Sequence, residues 1–366
     1  MLHRPEPDVS DDVLAQWRDR IRESMSARTA IRIRGGGSKD FYGETPQGEL
    51  FDTRTYAGII DYDPTELQIT ARAGTPLREI ERAMADAAQM LAFEPPHFGP
   101  DATLGGAVAS GLSGPRRPYA GAVRDLVLGV RVIDGRGTDL AFGGRVMKNV
   151  AGFDVSRLMA GALGTLGVIT EVSLKCVPLP RSEVTLSFDV SADQAIQRVN
   201  EWGGRPLPLT ATCYVGGRLW IRLAGAAPAV DAAAAKLGGG ATDDGPAFWR
   251  GLRDHQHPHF TRSEPGATLW RLSVKSTAPY TDLGGEQLVE WGGALRWLVS
   301  GERTDVAKVR AWAREHGGHA TLFRGPDKAP GVFDALAPAM LAIQRRLKAE
   351  FDPHGILNPG RMYPAL

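Results

Sequence analysis

The residues of this sequence best suited to chemistry are glycines that stand beside cations and small hydroxyl side chains. One dense run, residues 99–114, reads GPDATLGGAVASGLSG, and another, residues 161–172, reads GALGTLGVITEV. Glycine lets a backbone turn sharply and bring its N–H groups close to a ligand, where a Cβ would clash. These runs predict a surface for a long, thin ligand that carries phosphate.

A shorter glycine run lies upstream of these two and carries its own positive charges. Residues 31–34 read IRIR, an alternating pattern typical of a short strand, and lead directly into the three glycines 35–37. Arg34 and Lys39 flank these glycines. The arrangement predicts an anion cradle with countercharges at both ends.

Length and composition exclude several classes of protein. At 366 residues the chain exceeds the usual size of one hydrophobic core, which predicts two domains. A formal net charge of +1 excludes a strong field that would steer nucleic acid or an acidic membrane to the protein. The two cysteines, Cys176 and Cys213, lack the spacing of an iron–sulfur or structural zinc site, so we expect no metal and a reducing compartment. The sequence has no signal-peptide pattern and no apolar run of about 18 residues, which predicts a cytoplasmic protein without a transmembrane segment.

The hydrophobic pattern of the first half predicts a mixture of helices and strands. Acidic residues followed by apolar residues at helical spacing predict a helix over 11–25. Thr75 and Pro76 predict a second helix, with Thr75 as its N-cap, Pro76 at its first position and an apolar face that extends to Leu91. Strands are predicted at 31–34, 57–62, 67–73, 126–133, 138–142 and 168–177, with a hairpin turn at 134–137.

The second half has a different pattern. Pro178 and Pro180 predict a domain boundary. Beyond them, predicted strands at 184–190, 210–215, 219–223, 269–275, 294–299 and 320–323 are interleaved with predicted helices at 193–202, 229–237 and 305–315. This order indicates an α+β unit with an antiparallel sheet and helices on one face. Residues 238–246, rich in Gly and Asp, predict a mobile loop. A helix over 336–350, with the apolar stripe Leu336, Met340, Ile343 and Leu347, leads into a terminal turn at 351–360.

Four segments, in this order and spacing, carry a family resemblance. They read RGGGSK, PDATLGGAVASGLSG, GALGTLGVIT and FDPHGILNPGR. Together they resemble the FAD-binding domain of the vanillyl-alcohol oxidase and p-cresol methylhydroxylase superfamily and, more narrowly, the FAD-binding subunits of bacterial glycolate oxidase, over nearly the whole chain. The resemblance implies an α+β fold: a two-subdomain FAD-binding domain of the p-cresol methylhydroxylase type over 1–180, an α+β cap domain with an antiparallel sheet over 181–335, and a C-terminal helix and turn over 336–366 that return to the FAD domain.

The resemblance also implies which residues contact FAD. In chain order, the first glycine run (35–37) would contact the pyrophosphate, the second (99–114) the flavin and phosphates, and the third (161–172) the adenosine side. An amide in the terminal turn could bond the polar edge of the flavin ring. The implied cofactor-binding residues are Arg34, Gly35, Gly36, Gly37, Ser38, Lys39, Pro100, Thr103, Leu104, Gly105, Gly106, Ser110, Gly111, Gly114, Gly121, Arg124, Asp125, Gly161, Gly164, Thr165, Gly167, Val168, Ile169 and Asn358. Ser38 stands near the position where many relatives attach FAD through His, and no Cys lies between 99 and 125. We therefore expect non-covalent FAD.

The implied reaction is the oxidation of glycolate, a small 2-hydroxy acid, to glyoxylate. Relatives that oxidise such acids carry a clustered His motif followed by Glu-His-Gly, and this chain departs from that pattern. His255, His257 and His259 are spaced as in a loop, and the Glu-His-Gly at 315–317 is placed as a helix end. The expected partners are therefore a paralogous FAD-containing catalytic subunit, which would supply the base and metal site, and an iron–sulfur subunit. The chain would meet the inner membrane only peripherally, through this complex.

Two alternatives stay open at this point, as do the roles of several residues. The chain is either a self-contained FAD-dependent 2-hydroxy-acid dehydrogenase that uses His255, His257 or Arg117, or a structural subunit without catalysis. The residues with open roles are Arg116 and Arg117 (anion contact or solvated), Trp291 and Trp297 (core packing favoured over ring stacking), Lys148 and Asn149 (cofactor or partner contact, or an ordinary turn), and Asp125 (orienting Arg124 or capping a strand).

Overall fold

A computed structural model of the chain describes residues 9–144, 154–261, 266–301 and 304–366. Its helices are α1 (Val9–Ala27), α2 (Leu77–Asp86), α3 (Leu104–Ser110), α4 (Arg117–Ala120), α5 (Val123–Leu126), α6 (Val155–Met159), α7 (Ala192–Gly203), α8 (Ala227–Leu237), α9 (Gly245–Arg253), α10 (Pro258–Thr261), α11 (Val306–Glu315) and α12 (Pro338–Phe351). A short 3₁₀ turn covers Trp291–Gly293.

Within the described ranges the strands form four sheets. They are β1 (Ile31–Arg34), β2 (Glu49–Asp52), β3 (Ile59–Asp63), β4 (Gln68–Arg72), β5 (Gln89–Met90), β6 (Val127–Ile133), β7 (Asp139–Gly143), β8 (Val168–Lys175), β9 (Val177–Pro178), β10 (Ser182–Asp189), β11 (Leu209–Val215), β12 (Arg218–Gly225), β13 (Gly240–Ala241), β14 (Thr268–Ser273), β15 (Gly285–Glu290), β16 (Leu295–Ser300) and β17 (His319–Arg324). This mixture of helices and antiparallel sheets confirms the α+β class.

The first large sheet has five strands in the order β3-β4-β8-β6-β7, and every neighbouring pair is antiparallel. Helix α2 covers it with Leu77, Ile80 and Met84, whose side chains are fully buried in the same core as strand residues such as Val132. The predicted hairpin between β6 and β7 is confirmed, and Gly137 provides its left-handed residue.

A small parallel pair, β1 with β2, lies beside this sheet and receives the end of the chain. Helix α1 packs Leu14, Trp17 and Ile21 onto the pair. The terminal turn adds to β1, because Ile31 N donates to Ile356 O at 2.7 Å and Asn358 N donates to Ile31 O at 2.9 Å. The strand that leads into the first glycine run is therefore held by β2 on one side and by the terminal turn on the other.

The second large sheet has eight strands in the order β13-β10-β12-β11-β15-β16-β14-β17, and all of its pairs are antiparallel as predicted. Helices α7, α8 and α11 cover one face. The other face packs on α9 and α10 and on Tyr42 and Leu112 from the first half of the chain. This second face therefore looks toward the glycine runs.

Three predicted elements are wrong in part. Helix α2 has Pro76 as its N-cap with no side-chain cap, because the Thr75 hydroxyl bonds Arg72 O at 2.7 Å and Gly58 N at 2.9 Å instead, and α2 ends at Asp86, short of Leu91. The predicted loop 238–246 contains β13, which pairs with β10, and the start of α9.

The predicted apolar stripe of the C-terminal helix is the third correction. Met340 and Ile343 are 46% and 43% exposed, and the buried residue of α12 is Lys348. The helix is held through its last turn, so its apolar periodicity does not correspond to a buried face.

Candidate functional site

The glycine runs meet at a cavity of about 70 Å³ between the small parallel pair, α3 and β8. Segments far apart in sequence contribute to its wall, including the terminal turn. The residues of the wall that the sequence predicted are Gly35, Gly105, Gly106, Gly164, Gly167, Ile169 and Asn358. We call this space the glycine cavity.

The first glycine run packs directly on the start of the second. A Cβ on Gly35 would overlap the Thr103 hydroxyl, and a Cβ on Gly36 would overlap the carbonyl oxygen of Asp101. Thr103 is the N-cap of α3, and its hydroxyl accepts from Gly106 N at 3.3 Å. Glycine is required here because two backbones pass within contact distance of one another.

Gly105 brings α3 onto the first large sheet. Its N–H donates to Ala73 O at 2.8 Å, and a Cβ on Gly105 would lie 2.7 Å from the Cβ of Ala73. The close approach leaves the backbone of residues 105 and 106 open to the glycine cavity. A flat, polar ligand can therefore contact main-chain atoms there without meeting side chains.

Asn358 joins the wall of the cavity across the chain. Its Oδ1 accepts from Ile33 N at 2.7 Å and its Nδ2 donates to Leu163 O at 2.6 Å. A Cβ on Gly164 would lie 2.7 Å from that Nδ2. The amide that was expected to reach the flavin edge is thus engaged with the backbone of β1 and of the third glycine run.

The two predicted countercharges do not line the glycine cavity. Arg34 pairs with Asp40, its Nε 2.6 Å from Oδ2. The Lys39 ammonium lies 3.5 Å from His97 O and 5.6 Å from the centre of the Phe98 ring, and burial lowers its pKa to about 8 against the opposing effect of Asp254. Both cations therefore lie to the side of the cavity, with partners in neighbouring loops.

Other predicted residues support the cavity from behind. Gly111 takes a left-handed conformation at the end of α3, and its Cβ would lie 2.8 Å from Gly161 Cα, so these glycines let two segments touch. Asp125 accepts from Ala122 N at 2.9 Å at the start of α5, so it caps a helix and not the strand that was the alternative to orienting Arg124. The remaining predicted residues outside the cavity wall are Gly37, Ser38, Pro100, Thr103, Leu104, Ser110, Gly114, Gly121, Arg124, Thr165 and Val168.

Five residues of the wall were not predicted: Ile33, Thr53, Ala73, Ala109 and Leu163. Thr53 follows β2, and its N–H donates to Arg34 O at 3.0 Å. Ala73 and Ala109 are small residues next to glycines, and a search for small side chains around each glycine run would have found them.

A second cavity, of about 20 Å³, lies between the loop after α3 and the inner face of the eight-stranded sheet. Leu112, Ser113 and Gly114 line one side, and Arg271, Glu290 and His255 are among the residues of the other. We call this space the Arg271 cavity.

Two of the three histidines predicted as a loop cluster are packed in the core, and His257 is half-buried beside the Phe248 ring. His255 and His259 are 8% and 7% exposed, and the His255 ring stacks on Phe260 at 3.9 Å. Burial, reinforced by Arg324, holds the pKa of His255 well below its usual range, and burial lowers that of His259 to about 4. Residues 258–261 form the short helix α10, so the loop interpretation is wrong there. No group of three His, Cys, Asp or Glu in the described part of the chain is placed to hold a metal ion.

The Glu-His-Gly at 315–317 is a helix end, as predicted. Helix α11 stops at Glu315, the His316 Nδ1 lies 2.8 Å from Trp312 O, and Gly317 is left-handed. Their position at the end of a helix accounts for these three residue types.

The two tryptophans and two arginines whose roles the sequence left open lie in different surroundings. Trp291 and Trp297 are buried in the core, as favoured. Arg116 is buried and lies 3.3 Å from Glu94 and 3.6 Å from Glu183, so it is neither solvated nor free. Arg117 lies with its guanidinium 4.5 Å from the Trp291 ring centre. Lys148 and Asn149 lie outside the described residues.

Comparison with known proteins gives the class of this site. The model of the family described as "FAD binding domain" matches residues 14–143, and that of "FAD linked oxidases, C-terminal domain" matches residues 314–362. The fold is similar to that of alkyldihydroxyacetonephosphate synthase, with a TM-score of 0.64 at 16% identity over 93% of this chain and 73% of that one. The two family models thus define an FAD-binding protein of the FAD-linked oxidase class.

Sequence relatives narrow the class. The chain is 48% identical over 361 residues to the glycolate oxidase subunit GlcE of Escherichia coli, covering 99% of each. It is 30% identical over 177 residues to the glycolate oxidase subunit GlcD of Bacillus subtilis, which covers 48% of this chain and 37% of that one. It is 25% identical over 393 residues to a D-lactate dehydrogenase of Archaeoglobus fulgidus, which covers 91% of this chain and 85% of that one. The chain belongs to the GlcE family of glycolate oxidase subunits. In the described ranges, each helix is too short or too polar to cross a bilayer.

Proposed function

We propose that this chain is the FAD-binding subunit of a glycolate oxidase complex, which oxidises glycolate to glyoxylate. The observation that carries the proposal is the convergence of the glycine runs and the terminal turn on one cavity in a chain of the GlcE family. When bound, FAD accepts the two electrons released as a CH–OH group becomes a carbonyl.

The glycine cavity, of about 70 Å³, would hold one part of such a cofactor. Gly35, Gly105 and Gly106 would let its phosphates approach the backbone closely, although the N–H groups of Gly105 and Gly106 already donate to Ala73 O and to the Thr103 hydroxyl. Gly164 and Gly167 would border its adenosine side, where a Cβ would clash with the wall. We propose non-covalent attachment, because Ser38 stands near the position where many relatives attach FAD through His, and no Cys lies between 99 and 125.

The proposed partners are a paralogous FAD-containing subunit and an iron–sulfur subunit. Similarity to the GlcD subunit over 177 residues supports the first. We place the base and metal site in that partner, because His255 and His259 are held neutral in an aromatic core. We propose a cytoplasmic complex, peripheral to the inner membrane, in keeping with the two free, buried cysteines.

The test is an absorption spectrum of the purified chain, followed by anaerobic addition of glycolate, alone and with its partner subunits. We expect a flavin spectrum that bleaches rapidly only in the reconstituted complex. Equally rapid bleaching of the isolated chain would place the whole substrate site here and favour the self-contained dehydrogenase. A chain without flavin, alone and in the complex, would overturn the proposal and favour a structural subunit.

A further inference from the structure

Helix α12 carries a row of apolar side chains that lies outside the hydrophobic cores of the described residues. Met340 and Ile343 are 46% and 43% exposed, and Leu347 is half-buried. None of the three packs against a core in the described part of the chain. We call these three residues the α12 stripe.

This helix is too short to be stable without packing along its length. A helix of 14 residues is marginal in water, and helices in proteins owe most of their stability to the packing of an apolar face. In α12 the buried side chain is Lys348, in the last turn, and Phe351, the last residue, packs on the core of the first large sheet. The first two turns have no apolar core contact among the described residues, so they need a cover from outside.

The spacing of the α12 stripe indicates another helix as this cover. Met340, Ile343 and Leu347 follow one another after three and four residues, which is the spacing of the a and d positions of a coiled coil. A seam this narrow packs side by side with a second helix. A helix that lies on a membrane surface carries a large apolar face with aromatic residues, and the stripe has none.

The charges beside the seam indicate an acidic partner. With Met340 at position a, Gln344 and Arg346 take the flanking positions e and g. Arg346 is exposed and has no carboxylate oxygen within 4.0 Å in the described part of the chain. The one acid of α12, Glu350, lies at a d position. A second copy of this chain would therefore offer no carboxylate at a flanking position, so a pair of identical helices leaves Arg346 without a counterion.

We propose that the α12 stripe docks on a helix of the paralogous FAD-containing subunit, one with aliphatic residues at its own a and d positions and carboxylates beside them. The inference rests on the proposed function, which places the substrate in that subunit, so that electrons reach this chain from it. Helix α12 ends at Phe351, and the terminal turn that follows carries Asn358 into the wall of the glycine cavity. Docking at α12 brings the partner to the side where the terminal turn closes this cavity.

The contact is one part of a larger interface. At about 1.5 Å per residue, α12 is about 21 Å long, and one of its faces covers about 200 Å². A standard interface buries about 800 Å² on each partner. Disruption of the stripe should therefore weaken the complex without abolishing it.

The first test places a fluorescent label on the stripe. Cys176 and Cys213 are both buried, so Ile343→Cys offers an exposed thiol for a bimane label. We expect the bimane emission of the full chain to shift to the blue when the paralogous subunit is added, because the label leaves water. The iron–sulfur subunit alone, excess unlabelled chain, or vesicles of phosphatidylethanolamine and phosphatidylglycerol should leave it unchanged. A shift with any of these three, or none with the paralogous subunit, would overturn the inference.

The second test measures the affinity for the paralogous subunit by titration calorimetry. Ile343→Asp should raise the dissociation constant at least about tenfold, because it buries a carboxylate in an apolar seam. Arg346→Glu should raise it about two- to fivefold, the effect of an exposed ion pair. The matched control is Leu179→Asp, since Leu179 is an apolar residue that is 42% exposed outside α12. This variant should bind like the parent, and all three should keep the urea midpoint of the parent.

Equal affinity of Ile343→Asp and the parent would contradict the inference, as would tighter binding by Arg346→Glu. If Ile343→Asp fails to fold, the bimane shift at position 343 decides. Flavin content is recorded separately from binding. A parent chain that lacks flavin, or that never binds the paralogous subunit, sinks the proposed function and this inference with it. A flavin-containing complex that leaves both the label and Ile343→Asp unaffected sinks this inference alone.

Discussion

Single atoms decide whether the glycine cavity forms. A Cβ on Gly36 would overlap the carbonyl oxygen of Asp101, which is backbone and cannot rotate away. We expect Gly36→Ala to lower the free energy of unfolding by about 2–4 kcal/mol and to reduce flavin content, because the first and second glycine runs must separate. Urea denaturation and the flavin absorbance of the purified variant measure the two effects.

Gly203→Ala is the matched control for this prediction. Gly203 is the last residue of α7, and a Cβ there would meet nothing within 4 Å. We expect its stability to stay within about 0.5 kcal/mol of the parent or rise slightly, because alanine favours a helix. If both variants were equally stable and equally rich in flavin, the close packing of residues 36 and 101 would have no energetic role.

Asn358 is a second residue with a measurable role. It is 7% exposed, and its amide bonds both the Ile33 N–H and the Leu163 carbonyl. Asn358→Ala leaves two buried backbone groups without partners, and we expect a loss of about 2–4 kcal/mol in unfolding free energy with weaker FAD retention. Asn358→Asp keeps an acceptor for Ile33 but places a carboxylate oxygen against the Leu163 carbonyl, so it should cost at least as much as Asn358→Ala. An Asn358→Ala protein as stable as the parent in chemical denaturation would mean that the two amide bonds contribute nothing.

At the scale of elements, α12 depends on one buried ion pair at its end. Lys348 Nζ lies 2.7 Å from Asp352 Oδ2 and donates to Thr165 O at 2.8 Å and to Leu357 O at 2.7 Å. Asp352 is 1% exposed and accepts from the N–H groups of Ile356 and Leu357. These bonds fix the terminal turn that delivers Asn358 to the glycine cavity.

Lys348→Met should therefore destabilise the protein by about 3–5 kcal/mol, because it leaves the Asp352 carboxylate buried without its counterion. Arg346→Met, an exposed change on the same helix, should have an effect within about 0.5 kcal/mol. Thermal and urea unfolding of both variants check this. A Lys348→Met protein as stable as Arg346→Met would show that backbone bonds alone hold the terminal turn.

Elements with regular patterns were predictable, and those without were not. Helix α7 follows from periodicity because it buries one face, with Ala195, Val199 and Trp202. Strand β15 was missed because Gln287, Leu288, Val289 and Glu290 are all buried, so no alternation of polar and apolar residues marks it. Strand β2 was missed because its Leu50 is 41% exposed. The apolar stripe of the C-terminal helix gave a wrong prediction because it is periodic in the sequence, although its Met340 and Ile343 are exposed.

The site divides in the same way. Glycine runs were visible in the sequence because a close backbone approach excludes other residue types. The bonds of Asn358 to Ile33, 325 positions away, and the placement of Arg271 near Glu290 depend on how distant strands pair. Sequence spacing gives no information on such contacts. Nor does it show that the charges of Arg34 and Lys39 contact Asp40 and the His97 carbonyl instead of the glycine cavity.

At the scale of the whole molecule, a buried ionic cluster joins the two halves of the chain. Glu94 from the first half lies 3.3 Å from Arg116 and 2.8 Å from Arg222 of β12. Trp291 adds a second link, because its Nε1 donates to Gly114 O at 3.1 Å. The Arg271 cavity lies at this junction, so the ionisation of Glu290 affects the stability of the whole fold.

That ionisation predicts an unusual pH dependence. The pKa of Glu290 is raised to about 7, above the ordinary value of 4.5, so the folded state holds a proton between these values that the unfolded chain has released. Its contribution to stability therefore falls as pH rises from about 4.5 to 7 and is flat above. Glu290→Gln, which cannot ionise, should match the unfolding free energy of the parent near pH 4.5 and exceed it above pH 7 by up to about 3 kcal/mol.

Urea unfolding of parent and variant at several pH values gives the difference between their two stability curves. Taking this difference cancels the titration of the buried histidines. Glu286→Gln, an exposed change at the start of β15, should give no such difference. A Glu290→Gln curve parallel to the parent across this range would mean that Glu290 is ionised throughout, and that its buried Oε1 finds a partner in solution.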